Sequence, residues 1–255
     1  MEVYISQFML FLLIFARIGA FVAIAPVIGH SAVPLHVKIA ISLFVSYLMY
    51  PLLLRTGIET DMAFGLFFFT IIQEMTLGLL IGFVSMLIFA GAQYAGSIIS
   101  FNMGLYFANM FDPESSQQIP ILSSFMYLFS MLIFIVVNGH HVTIQALQVS
   151  YVSIPIGEFA FSISMLERFI TAGSTIFVVA VMLSAPILVA LFLVNVGFGL
   201  LARVVPRMNV FIVSFPLKIG LGIMILMTTM PMLGFVFKKL LTDFQRNMME
   251  LVTFL

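Results

Sequence analysis

Between Arg168 and Arg203 the chain reads FITAGSTIFVVAVMLSAPILVALFLVNVGFGLLA, which is 34 residues without a charged side chain. A membrane-spanning helix needs about 20 apolar residues, and this run would be about 50 Å long as a helix. The hydrocarbon core of a bilayer is only about 30 Å thick. We therefore expect the segment to tilt, to break near Pro186 or to extend beyond the bilayer.

Five further apolar segments accompany this run, and each is long enough or nearly long enough to cross a membrane. Polar turns separate them. The pattern predicts an all-α, polytopic membrane protein of long kinked helices and helical hairpins. The five segments cover residues 4–27, 37–54, 64–92, 119–137 and 210–237.

The composition excludes several classes of protein. The chain is 63% hydrophobic and 8% charged, too few charges to cover a soluble enzyme and too apolar for a disordered chain. Its net charge of zero leaves no basic face for nucleic acid. Cysteine is absent, which excludes disulfides and thiolate chemistry. The first segment has no cation before Phe8, so we expect a retained helix rather than a cleaved signal.

The distribution of Lys and Arg gives no orientation. Alternate loops of a six-span arrangement would carry four and five cations, a difference too small for the positive-inside rule. The cations on either side of the sixth segment would also lie on opposite faces of the membrane. This predicts either that residues 210–237 form a re-entrant hairpin or that the protein is not built of conventional spans. Residues 238–255 are predicted to form a short amphipathic tail.

Two charged residues interrupt apolar segments, Arg17 in the first and Glu74 in the third. Charges in such positions are costly and normally pair or line a polar cavity. They are interpreted as a proton or ion relay, as a structural pair, or as contacts to a partner subunit, and a structural role is favoured. Gly78 and Gly82, which follow Glu74, form a GxxxG pattern that indicates close helix packing.

No catalytic or cofactor motif is apparent, and we expect neither enzymatic activity nor a cofactor. The chain has no nucleophile elbow, no zinc-protease helix and no phosphate-binding loop. His140 and His141 are adjacent, so on a helix they diverge by about 100° and cannot share a metal ion. They are predicted to serve a turn or cap. A membrane enzyme or quinone-binding subunit using either histidine is an alternative.

The stretch 91–118 is unusually rich in small and amide residues, and it should face protein or water rather than lipid. Two interpretations remain equal. The stretch forms a helix-packing seam, in which small residues allow close approach. Alternatively it forms a loop along a pathway, in which Phe107, Met110 and Phe111 act as an apolar closure that excludes water.

The sequence resembles the FliR family, the flagellar branch of the type III secretion export-gate proteins. The resemblance rests on the order and spacing of motifs over nearly the whole chain, of which 197–211 is the strongest. The motifs are ARIG (16–19), APVIG (25–29), VPLHVKI (33–39), EMTLGLLIGF (74–83), AGSIISFNMGL (95–105), DP (112–113), NGHH (138–141), Ser150, Pro155, GFGLLARVVPRMNVF (197–211) and FPLKI (215–219).

The resemblance implies a gate subunit in the bacterial inner membrane, within the flagellar basal body. Its partners would be FliP-like, FliQ-like and FlhB-like subunits, membrane lipids and unfolded proteins in transit. Residues 1–167 would form a FliP-like part, and residues 168–255 a FliQ-like hairpin. The hairpin would bend at Pro206 and Asn209 and would bring the cation clusters around Arg203 and Lys239 to one level.

The resemblance also implies a plug loop at about residues 105–118, which closes the export channel at rest. The candidate plug residues are Phe107, Met110, Phe111, Asp112 and Pro113. The main alternative function is a secondary transporter for a small solute, which would use Arg17 and Glu74 at a site near the membrane midplane.

Overall fold

The computed structural model describes residues 2–54, 64–105, 121–160, 163–205 and 210–253. Within these ranges the chain forms seven α-helices and no strand, which confirms the all-α prediction. Five of them are long and apolar enough to cross a membrane, or six spans if one bent pair counts as a span. The helices are α1 (Glu2–Ile24), α2 (Leu35–Leu54), α3 (Phe64–Met103), α4 (Ile121–Val136), α5 (Gly139–Ser153), α6 (Ile163–Val204) and α7 (Val210–Thr253).

Helix α6 is continuous over 42 residues, so of the three alternatives predicted for this segment the break near Pro186 does not occur. At 1.5 Å per residue the helix is about 63 Å long, roughly twice the thickness of the hydrocarbon core. A proline removes one backbone hydrogen bond. The residues around it, Leu183 and Ile187, are fully packed and hold both sides of the helix in place.

Helix α7 is continuous over 44 residues, so the sixth segment is not a re-entrant hairpin and residues after Phe237 are not a separate short tail. An apolar stripe at helical spacing continues past that point, with Leu241, Phe244 and Met248 all buried. Lys238 lies about 42 Å along the axis from Val210. The two cation clusters that flank this segment are therefore far apart, and the expectation that they share a level is wrong.

The chain divides into two compact units. The first consists of Met1–Leu87, Asn138–Gly173 and Asp243–Leu255, and the second of Ile88–Val137 and Ser174–Thr242. The division follows packing, so each long helix contributes to both units. The predicted division at residue 168 rests instead on resemblance to two partner families, and it stays a prediction.

In the first unit α1 is the central helix. Its residues Leu13, Ile14 and Ile18 are fully buried. Helix α2 returns along it, joined by a ring contact of 6.2 Å between Phe11 and Tyr50. Helix α3 approaches through the GxxxG pattern, because a Cβ atom on Gly78 would overlap the carbonyl oxygen of Arg17. The close packing predicted from this pattern is confirmed.

In the second unit Phe89 of α3 is the centre of an aromatic cluster. It is 1% exposed and contacts Phe134 of α4 edge to face, with ring centroids 5.2 Å apart. The ring centroids of Tyr127 and Phe237 each lie 6.4 Å from the ring centroid of Phe89. Edge-to-face pairs of this kind add about 0.5–1.5 kcal/mol beyond the area that they bury. The cluster joins α3, α4 and α7.

Residues 91–103 continue α3 and form a packing seam rather than a loop. Gly96 faces α4 so closely that a Cβ atom would lie 2.5 Å from the carbonyl oxygen of Leu122. The hydroxyls of Ser97 and Ser123 are hydrogen-bonded at 2.8 Å across the same contact. The predicted end of this segment at Ala92 is therefore wrong. Small residues that would weaken an isolated helix stabilise this one by letting α4 approach.

Helices α4 and α5 follow each other along the chain with a short turn between them. Asn138 lies between them in the left-handed region, at φ 56° and ψ 32°, a conformation that asparagine tolerates better than most residues. His140 and His141 follow in the first turn of α5, with ring centroids 4.3 Å apart. Both histidines lie at the predicted turn, next to its bend.

Replacing Gly96 by alanine should destabilise the protein, because the new Cβ atom meets backbone that cannot move aside. Gly197→Ala is the matched control, since a Cβ atom there has nothing within 4 Å. Alanine is favoured over glycine within a helix by about 1 kcal/mol, so the control should be neutral or slightly stabilised. Thermal unfolding followed by circular dichroism measures both. Equal midpoints for the two variants would contradict the seam.

Candidate functional site

The two charged residues predicted from the sequence lie together in the first unit. Arg17 and Glu74 are fully buried, and the Nε atom of Arg17 lies 2.5 Å from Oε2 of Glu74. Gly78 follows Glu74 by one helical turn and brings α3 against α1. Side chains on a helix lean towards its N-terminus, so Arg17 reaches back along α1 to the level of Glu74. The close contact of the helices thus determines the geometry of the pair.

The second bond of the pair makes it bidentate. The Nη2 atom of Arg17 donates to Oε1 of Glu74 at 3.1 Å. A two-point contact between guanidinium and carboxylate is stronger and more specific in direction than a single bond. Both groups face each other in a site from which solvent is excluded, since each side chain is 0% exposed.

Arg17 also caps the C-terminus of α5. Its Nη1 atom donates to the carbonyl oxygen of Ser150 at 3.0 Å, and Nη2 donates to that of Ile154 at 3.1 Å. The carbonyls at the end of a helix carry partial negative charge, which a nearby cation stabilises. The carbonyl of Ser150 also accepts the backbone N–H of Ile154 at 3.0 Å, so Arg17 is its second donor. The guanidinium carbon lies 4.1 Å from the ring centre of Tyr151, which adds a cation–π contact.

Glu74 extends the network to the turn that follows α5. Its Oε1 atom accepts a hydrogen bond of 3.2 Å from the backbone N–H of Gly157. Pro155 to Glu158 form a turn closed by a bond of 3.2 Å from the N–H of Glu158 to the carbonyl of Pro155. Gly157 has φ 83°, which a type II turn requires at its third position and which glycine adopts without strain.

The network is closed. A guanidinium group has five N–H donors. One on Nε and two on Nη2 bond to Glu74 and to Ile154, and Nη1 bonds to both the carbonyl and the hydroxyl of Ser150, the latter at 3.3 Å. No donor is left for a transported solute. Arginine also does not release its proton in proteins. The geometry therefore fits a structural pair and does not favour an ion or proton relay.

The remaining site candidates from the sequence are those of the predicted plug and hairpin bend. Phe107, Met110, Phe111, Asp112 and Pro113 lie outside the residues that the structure describes, and so do Pro206 and Asn209. The end of α6 and the start of α7 do lie opposite each other, because Val194, Leu201, Val213 and Leu217 line one cavity of about 440 Å³. In the described ranges no three His, Asp or Glu residues form a cluster that would hold a metal ion.

Sequence reasoning identified the pair but not its partners at the end of α5. Ser150 contributes a backbone carbonyl as well as its hydroxyl, and Ile154 contributes a carbonyl that any residue would have. Tyr151 gave no signal either. Gly157 after a Pro-Ile pair was the available sign of a turn.

The helices and the buried pair define a helical membrane protein with several possible spans. A family model described as "Bacterial export proteins, family 1" matches residues 8–244. The chain therefore belongs to this family of export proteins.

Individual relatives are similar over most of their length. The chain is 32% identical to the "Flagellar biosynthetic protein FliR" of Bacillus subtilis (strain 168), over 97% of each chain. It is 30% identical to the protein of that name from Escherichia coli (strain K12), over 86% of this chain and 83% of the relative. The protein of that name from Caulobacter vibrioides is 28% identical, over 94% of each chain.

Removing either member of the pair should destabilise the protein by about 3–5 kcal/mol, because the other charge is left buried without a partner. The variants are Arg17→Ala and Glu74→Ala, and thermal unfolding in detergent measures the effect. Arg246→Ala, which removes an exposed cation of the same unit, is the control and should change stability by less than about 0.5 kcal/mol.

The double change Arg17→Met with Glu74→Leu separates the two contributions of Arg17. Apolar replacement of a buried pair is often neutral. Here the carbonyl of Ile154 would lose the donor that Arg17 supplies, which costs about 1–3 kcal/mol, while the carbonyl of Ser150 would keep the backbone N–H of Ile154. We expect the double variant to recover only part of the loss. Full recovery would contradict the capping role, and single variants as stable as the control would contradict the whole network.

Proposed function

We propose that this chain is a subunit of the flagellar type III protein export gate in the bacterial inner membrane. The single observation that carries the proposal is membership of the export family over residues 8–244, together with flagellar relatives that match nearly end to end. Five long apolar helices fit a membrane location. The role is that of a non-enzymatic channel component within the basal body.

The proposal includes partner subunits of the FliP-like, FliQ-like and FlhB-like kinds, which complete the channel. Many large apolar side chains are exposed on the described helices, for example Phe44 at 63%, Tyr47 at 70% and Phe235 at 72%. Such an extent of apolar surface belongs against lipid or against other subunits. Unfolded flagellar proteins would cross the membrane through the channel that the subunits enclose.

The proposal also places a plug at about residues 105–118. Helix α3 ends at Met103, and Gly104 follows in the left-handed conformation at φ 82°, which turns the chain away from the helix axis. Phe107, Met110 and Phe111 come directly after that turn and are the candidates for an apolar closure. Asp112 and Pro113 belong to the same proposed plug.

Assembly is the first test of this function. The chain is purified alone and with each combination of its FliP-like and FliQ-like partners, and native mass spectra are recorded. We expect a hetero-oligomer of defined stoichiometry that disappears when any partner is left out. A stable monomer or homodimer that ignores those partners would overturn the proposed function.

The plug is tested separately by replacing residues 107–118 with a Gly-Ser linker of the same length. The linker keeps the chain connected but removes the bulky side chains, so cells should become leaky to ions while export of flagellar proteins persists. Ion conductance is measured beside secretion. The control replaces residues 55–63, another stretch of the sequence between two apolar segments, in the same way. Ion leakage equal to that of the wild type in the 107–118 variant would contradict the plug assignment.

A further inference from the structure

A cavity of about 560 Å³ in the first unit has properties that the export function does not use. Its walls include Met49, Leu52 and Leu53 from the end of α2, and Tyr151, Val152 and Pro155 from the end of α5. Gln148 and Glu158 supply the polar groups of the lining. The volume lies in the range of sites that hold small ligands.

Among the residues that line this cavity Glu158 is the one charged group, and it is an acid. The described residues give its carboxylate no hydrogen-bonding or ionic partner, and the side chain is exposed. The nearest charged pair on the other side of Tyr151, Arg17 with Glu74, is neutral as a whole. The cavity therefore favours a cation and disfavours an anion.

The backbone at Glu158 is held in place. The turn from Pro155 to Glu158 is closed by its own backbone bond, and its Gly157 is tied to buried Glu74. The backbone that carries the carboxylate is therefore ordered before a ligand binds, and only the side chain of Glu158 has to be ordered by binding.

The walls continue into surface that suits an acyl chain. Leu52 is 48% exposed and Val152 81% exposed, and both belong to the cavity as well as to the outer surface. Leu48, one turn before Leu52 on α2, is 53% exposed and extends the same apolar face. A ligand with a cationic head and a long apolar tail matches this arrangement.

We propose that the cavity binds an aminophospholipid, with the primary ammonium of its headgroup at Glu158 and its acyl chain along Met49, Leu52 and Val152. A primary ammonium donates hydrogen bonds, which the carboxylate of Glu158 and the amide oxygen of Gln148 accept. A quaternary ammonium lacks those donors. An anionic headgroup is repelled by the negative charge of Glu158.

The test is lipid retention by the purified full-length protein together with the subunits that copurify with it. The sample is delipidated and offered an equimolar mixture of phosphatidylethanolamine, phosphatidylcholine and phosphatidylglycerol with identical acyl chains. Native mass spectrometry counts the lipids that remain bound. We expect phosphatidylethanolamine to exceed phosphatidylglycerol by about three- to fivefold, the ratio of a partly screened charge pair.

Glu158→Gln should bring that ratio close to one, because it removes the charge and keeps the shape. Glu167→Gln is the matched control, since it neutralises another exposed carboxylate of the same unit outside the cavity. An unchanged preference in Glu158→Gln, or no preference in the wild-type protein, would overturn the proposal.

A second pair of variants tests the cavity itself. Val152→Trp fills it from an exposed position and should remove the bound lipid whatever its headgroup. Val189→Trp makes the same change at a residue of α6 that is 61% exposed and outside the cavity, and it should keep the lipid. Equal retention by both variants would place the lipid elsewhere and contradict the site. The readout is lipid occupancy, so it is independent of whether the export function is correct.

Discussion

A buried arginine is tolerable in this protein only because every N–H group that it carries is bonded. Arg17 takes its acceptors from three parts of the chain: the carboxylate of Glu74, and the carbonyls at the end of α5 and just after it. Each partner in turn needs Arg17. Glu74 needs its countercharge, and the carbonyl of Ile154, just after α5, needs a donor. Helices α1, α3 and α5 are therefore held in one relative position by a single side chain.

The same network also holds the turn beside the proposed lipid cavity, although Arg17 and Glu74 do not line that cavity. Glu74 holds Gly157, and the turn that contains Gly157 presents Glu158 at the mouth of a cavity. A contact deep in the core thus determines where an exposed carboxylate lies. This arrangement explains why a costly buried pair is useful in a protein that otherwise has few charges.

The sequence was sufficient for the class of fold and for the two buried charges, because both depend on composition along the chain. An uncharged run of 34 residues permits little except membrane-compatible helix, and Arg17 and Glu74 are conspicuous within apolar segments. The acceptors at Ser150 and Ile154 were not predictable in the same way. Backbone carbonyls occur at every residue, and only the packing of α5 on α1 selects these two.

Helix lengths were predicted less well, for a related reason. Residues 91–103 contain Gly, Ser and Asn, which weaken a helix in isolation, yet they form the second part of α3 because Gly96 packs on α4. A break near Pro186 was one of three alternatives for α6, but Leu183 and Ile187 are buried on either side of it and the helix is continuous. In both places tertiary contacts outweigh local preference, and tertiary contacts are not visible in a single sequence.

The buried network also has a consequence for synthesis of the protein. Gly157 lies 83 residues after Glu74, so the turn that completes the network is made long after the charged pair. At about 5–20 residues per second, the ribosome needs about 4–17 s to cover that distance. During this interval α1 is already made and α3 is completed, but the carbonyls at the end of α5 and the N–H of Gly157 do not yet exist. The two charges are therefore synthesised several seconds before the last partners of their network.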